Sequence, residues 1–229
     1  MKVAMVSGGG RGLGAAITRR LLRDGWAVSL GLRDLSQADA FAGDVAAFPF
    51  DATDAAAAET WIDGTVARFG RLDALVNNAG ILRVVDFEQG DEADLDALWA
   101  VNVKAPYRLI RAALPHLRAT GAGRIVNIAS TDAKRYRAGV SVGYTMSKHA
   151  LLALTQAARF AGYDDGVRAT AICPGATDTD LIDGLPGVTP KAERLTPDTV
   201  AQMVAVVLAL PNQASVPELI LNTRLETLI

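Results

Sequence analysis

The first stretch of the chain narrows the choice of fold more than any other. An apolar run at 2–6 passes through Ser7 into GGGRGLG at 8–14, and a helical pattern follows with Leu13, Ile17 and Leu21 on one face. A buried strand, a glycine-rich turn and a helix in direct succession form the unit that sets a helix N-terminus against an anion. Gly8 and Gly12 permit a tight turn and close backbone approach, and Gly14 lets the helix pack against the strand. Ala15 and Ala16 follow Gly14 where a phosphate loop of an NTPase needs Lys and Ser or Thr, which argues against that class. The G-x-G-x-x-G spacing is absent as well; the pattern is Ser7-Gly8-x-x-x-Gly12-x-Gly14.

The remainder alternates. Strand-like runs are expected at 27–32, 45–50, 74–76, 124–129, 168–173 and 218–221, with helical patterns at 54–69, 91–117, 143–161 and 196–210. Asp54 reads as a helix N-cap and Pro106 as a kink in the long pattern. Such alternation predicts an α/β fold, a single-domain Rossmann-like doubly wound parallel sheet with helices on both faces, spanning 1–229. The long aperiodic segment 177–195 lies near a strand end where ligands bind. Leu181, Ile182 and Leu185 within it favour a substrate lid over a plain surface connection.

At 229 residues the chain suits one large domain and is short for two. Half its residues are apolar and 21% charged, which excludes a disordered chain. A net charge of -2 gives no basic surface for nucleic acid or an anionic membrane. One cysteine, Cys173, and two histidines offer no intrachain disulfide and no metal-ligand cluster, so no metal is expected. The N-terminal apolar run is too short for a signal segment or a span, and a soluble cytoplasmic protein is the expectation.

Proton-transfer chemistry is suggested by Ser130, Tyr144 and Lys148. Tyr144 and Lys148 are four apart, on one helical face, and Ser130 ends the apolar run RIVNIA. A tyrosine titrates near about 10, and an ammonium one turn away favours its phenolate, so that the phenol can exchange a proton near neutral pH. The serine hydroxyl would hold the substrate oxygen. Asn102, between Val101 and Val103, is an amide that needs partners if buried.

The end of run 27–32 bears on the cofactor, because a carboxylate there holds an adenosine ribose 2'-hydroxyl while an arginine accommodates a 2'-phosphate. Leu32 stands where the carboxylate is expected, Arg33 follows, and Arg11 in the glycine turn can reach the same phosphate. NADP is favoured, and Asp34 keeps NAD as the alternative. Asp51, at the end of the third run, could meet the adenine. Asn77-Asn78-Ala79-Gly80 ends the fourth, where dinucleotides bind in such sheets.

Taken together, the sequence resembles the short-chain dehydrogenase/reductase family over nearly its whole length. The matching residues are Ser7-Gly8-Gly9-Gly10-Arg11-Gly12-Leu13-Gly14, Asp51, Asn77-Asn78-Ala79-Gly80, Asn102, Ser130, Tyr144-x-x-x-Lys148 and Pro174-Gly175 with Thr179. The resemblance implies an oxidoreductase interconverting a small-molecule carbonyl compound and an alcohol. Tyr144 would be the general acid/base, Lys148 would lower its pKa and bond the nicotinamide ribose, Ser130 would polarise the carbonyl, and Asn102 would hold a proton-relaying water. Asn78, Ala79 and Gly80 would line the adenosine side, with Pro174, Gly175, Thr177 and Thr179 toward the nicotinamide. A homo-oligomer, dimer or tetramer, is also implied.

Departures from the family are Ser7 in place of threonine, a Ser130 to Tyr144 gap one expects to bulge, and the ending PELILNTRLETLI. Two other functions remain as alternatives: an NAD-dependent alcohol dehydrogenase, and a dinucleotide-binding sensor with vestigial activity. The basic run Lys134, Arg135 and Arg137 reads as a solvated rim or subunit contact. Trp26, Trp61 and Trp99 read as packing residues, Cys173 as a small buried one, and His116 and His149 receive no catalytic role.

Overall fold

Seven parallel strands make one sheet in the computed structural model, which describes residues 1–137, 139–185 and 187–223. They are β1 (Val3–Ser7), β2 (Ala27–Leu32), β3 (Val45–Pro49), β4 (Ala74–Asn77), β5 (Arg124–Ile128), β6 (Arg168–Pro174) and β7 (Glu218–Leu221). Their order is β3-β2-β1-β4-β5-β6-β7. The chain winds outward from β1 to β3, returns to β4 beside β1, and winds outward the other way. That reversal opens a crevice beyond the C-terminal ends of β1 and β4.

Side chains alternate across each strand, which gives the sheet two apolar faces. Ala4 and Val6 face α1 (Gly12–Arg23) and α6 (Pro197–Ala209), packing with Ile17, Leu21, Val200 and Val204. Met5, Leu75 and Ile125 face the other way, toward α2 (Ala57–Phe69) and α4 (Ala105–Ala119), and meet Trp61, Leu109 and Leu117. Burying residues of this size stabilises by about 1.5–3 kcal/mol each. The 21-residue α5 (Val142–Gly162) lies on this second face as well, through Ala158.

Trp61 is a packing residue: its Nε1 donates to Ser29 Oγ at 2.9 Å, and a Cβ at Gly31 would lie 2.6 Å from its ring. At the N-terminal end of β5, the buried Arg124 guanidinium donates to Leu210 O at 2.7 Å and Asn212 Oδ1 at 2.9 Å, tying β5 to the turn after α6.

Two expected boundaries shift. The pattern at 91–117 divides into α3 (Glu92–Trp99), a π-helical turn at Ala100–Lys104, and α4. Pro106 has no N–H to give to the carbonyl of Asn102 four residues back. Just before it, the Ala105 N–H reaches Ala100 O, a five-residue step. The irregularity thus precedes the proline. Asp54 accepts from the Ala56 N–H at 2.9 Å, so it closes a turn ahead of α2 instead of capping the helix itself. The ending of the chain from 224 on lies outside the described residues. Among those described, no helix is long and apolar enough to cross a membrane.

Candidate active site

Ser130 is the second residue after β5 and begins a 3-10 turn at Thr131–Ala133, where its Oγ accepts the Asp132 N–H at 3.0 Å. Across from it, Ser141 caps α5 by accepting the Tyr144 N–H at 3.1 Å, which places Tyr144 in the first turn and Lys148 one turn later. The Ser130 hydroxyl stands close enough to the Tyr144 phenol to favour its ionised form. Lys148 Nζ donates to Ile128 O at 2.9 Å and lies 5.6 Å from the centroid of the Tyr144 ring. All three side chains are buried.

Burial sets the electrostatics. It pushes the Tyr144 phenol well above the usual tyrosine range; the Asp132 carboxylate adds to that, and the Ser130 hydroxyl opposes it. Burial also pushes the Lys148 ammonium down to about 8. The tyrosine therefore holds its proton at neutral pH, and the lysine is close to the point where it shares one.

Asn102 occupies the π-helical turn. Its Oδ1 accepts the Ile81 N–H at 2.9 Å, while its Nδ2 donates to Ile81 O at 2.9 Å and to Ser147 Oγ at 3.0 Å. A Cβ at Gly80 would lie 3.4 Å from Asn102 Oδ1 and 3.6 Å from Lys148 Nζ, so Gly80, Asn102 and Lys148 converge.

The other half of the crevice is built on the glycine turn. A Cβ at Gly14 would lie 2.0 Å from Gly8 O, so only glycine brings α1 this close to β1. Thr18 Oγ1 braces the turn at Gly9 O (3.0 Å) and Gly14 O (2.9 Å). Ser7 Oγ accepts the N–H groups of Asn78 and Ala79, each at 3.0 Å, and Asn78 Nδ2 donates to Ser7 O and Gly8 O at 3.0 and 3.1 Å. Leu13 packs against the first apolar face. Gly10 lies under Gln37, whose Oε1 would be 2.1 Å from a Cβ there.

This cradle fits a dinucleotide. The α1 N-terminus has no side-chain cap and no acidic residue in its first turn, so its N–H groups face the crevice without a competing anion. At the far end, Leu32 is buried and Arg33 exposed. Asp34 Oδ1 is engaged by the Ser36 N–H at 3.1 Å and by its hydroxyl at 2.7 Å. Asp51 is held below the usual carboxylate range by the Thr53 N–H and hydroxyl, with Arg33 contributing. Structure thus gathers Gly8, Gly12, Asn78 and Thr179 at one part of the crevice and sets Arg33 and Asp51 at another.

Beyond β6, the Gly175 N–H donates to Leu221 O at 2.7 Å, so Pro174 and Gly175 are fixed to the edge strand. Segment 177–195 then returns on itself, pairing Thr177 with Leu195. Within it Thr179 Cγ2 lies 3.5 Å from where a Gly12 Cβ would stand, and Asp180 pairs with Arg11 at 3.0 Å. The buried Arg194 side chain staples the segment, donating to Asp183 Oδ1 at 2.7 Å and Thr189 O at 3.0 Å, with Asp178 Oδ1 at 3.5 Å.

Several members of the site were not foreseen. Ser147 links Asn102 to the helix by donating to Tyr144 O at 2.7 Å. Asn127 accepts from Asn77 Nδ2 at 2.7 Å and donates to Thr155 Oγ1 at 2.8 Å, a polar chain beneath the site whose sequence signal is an amide inside RIVNIA. Asp132 accepts from Arg137 Nη2 and Nε at 2.8 and 3.1 Å. Lys134 pairs with Glu218 at 2.6 Å, so at least two of the three basic residues expected at a solvated rim are tied within the chain.

A doubly wound sheet with a glycine cradle on one side of its crevice and a buried serine, tyrosine and lysine on the other defines a Rossmann-like dinucleotide-binding protein. A family model described as short chain dehydrogenase matches residues 2–186, and the chain belongs to the short-chain dehydrogenase/reductase family. It is 36% identical over 220 residues, 94% of its length, to an agropine synthesis reductase of Rhizobium rhizogenes. It spans about half of that relative, 51%. Among solved structures, an alcohol dehydrogenase of Thermococcus sibiricus complexed with 5-hydroxy-NADP is 32% identical with a TM-score of 0.87, covering 96% of both chains. A 3-ketoacyl-(acyl-carrier-protein) reductase of Brucella melitensis complexed with NADH is 27% identical with a TM-score of 0.88, again over 96% of both.

Proposed function

We propose that the chain is an NADPH-preferring oxidoreductase that interconverts a small carbonyl compound and its alcohol. The observation that carries this reading is the buried Ser130, Tyr144 and Lys148 group opposite the glycine cradle. A bound nicotinamide dinucleotide supplies the hydride in reduction and accepts it in oxidation. Its pyrophosphate would be held by the α1 N-terminus and the backbone of 8–14, its adenosine end by Asp51 and Ala79, and its ribose by Lys148.

Ser130 and Tyr144 hold the substrate oxygen between their hydroxyls. As that oxygen gains charge, the phenolic proton of Tyr144 moves onto it, and the Lys148 ammonium stabilises the phenolate left behind. Asn102 keeps the carbonyl of Ile81 and the Ser147 hydroxyl in line, which steadies the path by which Lys148 is resupplied with protons. Thr177 and Thr179 bring segment 177–195 over the site as a substrate cover.

Arg33 at the end of β2, with Asp34 occupied by Ser36, supports NADP over NAD. Both kinds of cofactor occur among the solved relatives named above, one with 5-hydroxy-NADP and the other with NADH. A homo-oligomer in the cytoplasm completes the reading.

Titration with NADPH and NADH, followed by an absorbance assay on a panel of aldehydes and ketones, tests it. NADPH should bind more tightly, and Tyr144→Phe should keep that binding while losing turnover by about 100-fold or more. Binding without turnover of any carbonyl would favour the sensor alternative.

A further inference from the structure

We propose that Asp132 is a specificity-determining residue that accepts a hydrogen bond from a hydroxyl on the carbon next to the reacting carbonyl. The substrate class is then an α-hydroxy carbonyl compound or the matching vicinal diol. The inference rests on the reading above that Ser130 and Tyr144 bind the reacting oxygen.

Asp132 lies two residues beyond Ser130 and is 9% exposed. Its own N–H donates to Ser130 Oγ at 3.0 Å, so its backbone is fixed to the hydroxyl that receives the substrate oxygen. Both bonds from Arg137 go to Oδ1, at 2.8 and 3.1 Å. Among the described residues Oδ2 accepts none, yet it is not sealed from solvent as the unpartnered atoms of Thr145 and Asn77 are. The charge of this carboxylate is felt by the Tyr144 phenol, which it pushes upward. An acceptor with one oxygen answered by Arg137 and the other without a partner among the described residues therefore stands within charge range of the reacting centre.

The partner of that oxygen is a neutral donor. Arg137 already neutralises the carboxylate, and the Lys148 ammonium sits across the site, so an ammonium on the substrate would meet two cations. A hydroxyl meets neither objection. A carboxylate left without its donor after desolvation penalises a ligand that carries a methyl group instead.

Hydroxyacetone and butan-2-one have the same heavy-atom skeleton and differ by OH against CH3, so the ratio of their kcat/KM values isolates this contact. The wild-type enzyme should prefer hydroxyacetone, and the preference should fall by about 10- to 100-fold in Asp132→Ala. In Asp132→Asn, which keeps an acceptor for Arg137 and so protects the fold, the fall should be smaller. A wild-type ratio near one, or a ratio unmoved in both variants, overturns the proposal. Should neither ketone turn over, calorimetry with propane-1,2-diol and butan-2-ol on protein loaded with oxidised cofactor decides separately. A diol preference abolished by Asp132→Ala and weakened by Asp132→Asn sustains the Asp132 contact while the enzyme reading fails, and equal binding overturns both.

Discussion

Lys148 Nζ donates to the carbonyl of Ile128 at 2.9 Å, and this bond joins the helix carrying Tyr144 to the strand that leads to Ser130. The lysine is a structural tie as well as a charge. Its burial has a cost that depends on pH.

The sign follows from its depressed pKa. In the folded chain Lys148 titrates at about 8 against an ordinary 10.5. Below pH 8 both states hold the proton and the burial penalty is complete. Between about 8 and 10.5 the unfolded chain binds more protons, so this group makes the fold more stable as pH rises. Lys148→Met should remove a penalty of at most about 3 kcal/mol at pH 7, offset in part by the lost bond to Ile128 O. Denaturant unfolding of both proteins should show the gap shrinking from pH 8 to 10.5, while turnover is lost at every pH.

Asn102→Leu should lose stability as well as activity. The amide satisfies both backbone groups of Ile81 and also donates to Ser147, and leaving such groups buried without partners costs about 1–3 kcal/mol each. A drop in Tm of several degrees is expected by calorimetry. An unchanged Tm would mean that the loop at Ile81 does not depend on this side chain.

Arg33→Ala should weaken NADPH by about 10- to 100-fold, the worth of a charged hydrogen bond to phosphate. NADH affinity should scarcely move. Equal losses for both cofactors, measured by fluorescence titration, would transfer the discrimination to Arg11 or Asp34.

Arg194→Met removes the donor that holds Asp183 and Thr189 O at the base of segment 177–195. The expected result is a higher KM for substrate with a smaller change in kcat, together with faster proteolytic cleavage within 177–195. Asp183→Asn should do the same more weakly, because Arg194 keeps Thr189 O.

What the sequence disclosed and what it hid have physical reasons. Strands β2 and β7 stand where their apolar runs end, because Arg33 and Asp34 follow the first and the polar Asn222 and Thr223 follow the second. Ser130, Tyr144 and Lys148 were legible because two share a helix face and the third closes an apolar run. The π-helical turn at Asn102 was not, since the missing N–H of Pro106 reads as a kink until the Asn102 side chain is seen bonded to both backbone groups of Ile81. Neither Asp132 with Arg137 nor the grip of Arg194 on Asp183 leaves a periodic trace. Each is a short loop pair whose meaning depends on what it folds against.

Strand β5 begins at Arg124, bound to the turn after α6, and leads at its other end to Ser130. One five-residue segment thus separates the anchorage of the domain from its chemistry. Replacements around Leu210 and Asn212 should register in folding yield and leave substrate choice alone, whereas exchanging the loop 131–140 should retune selectivity on an unchanged chassis.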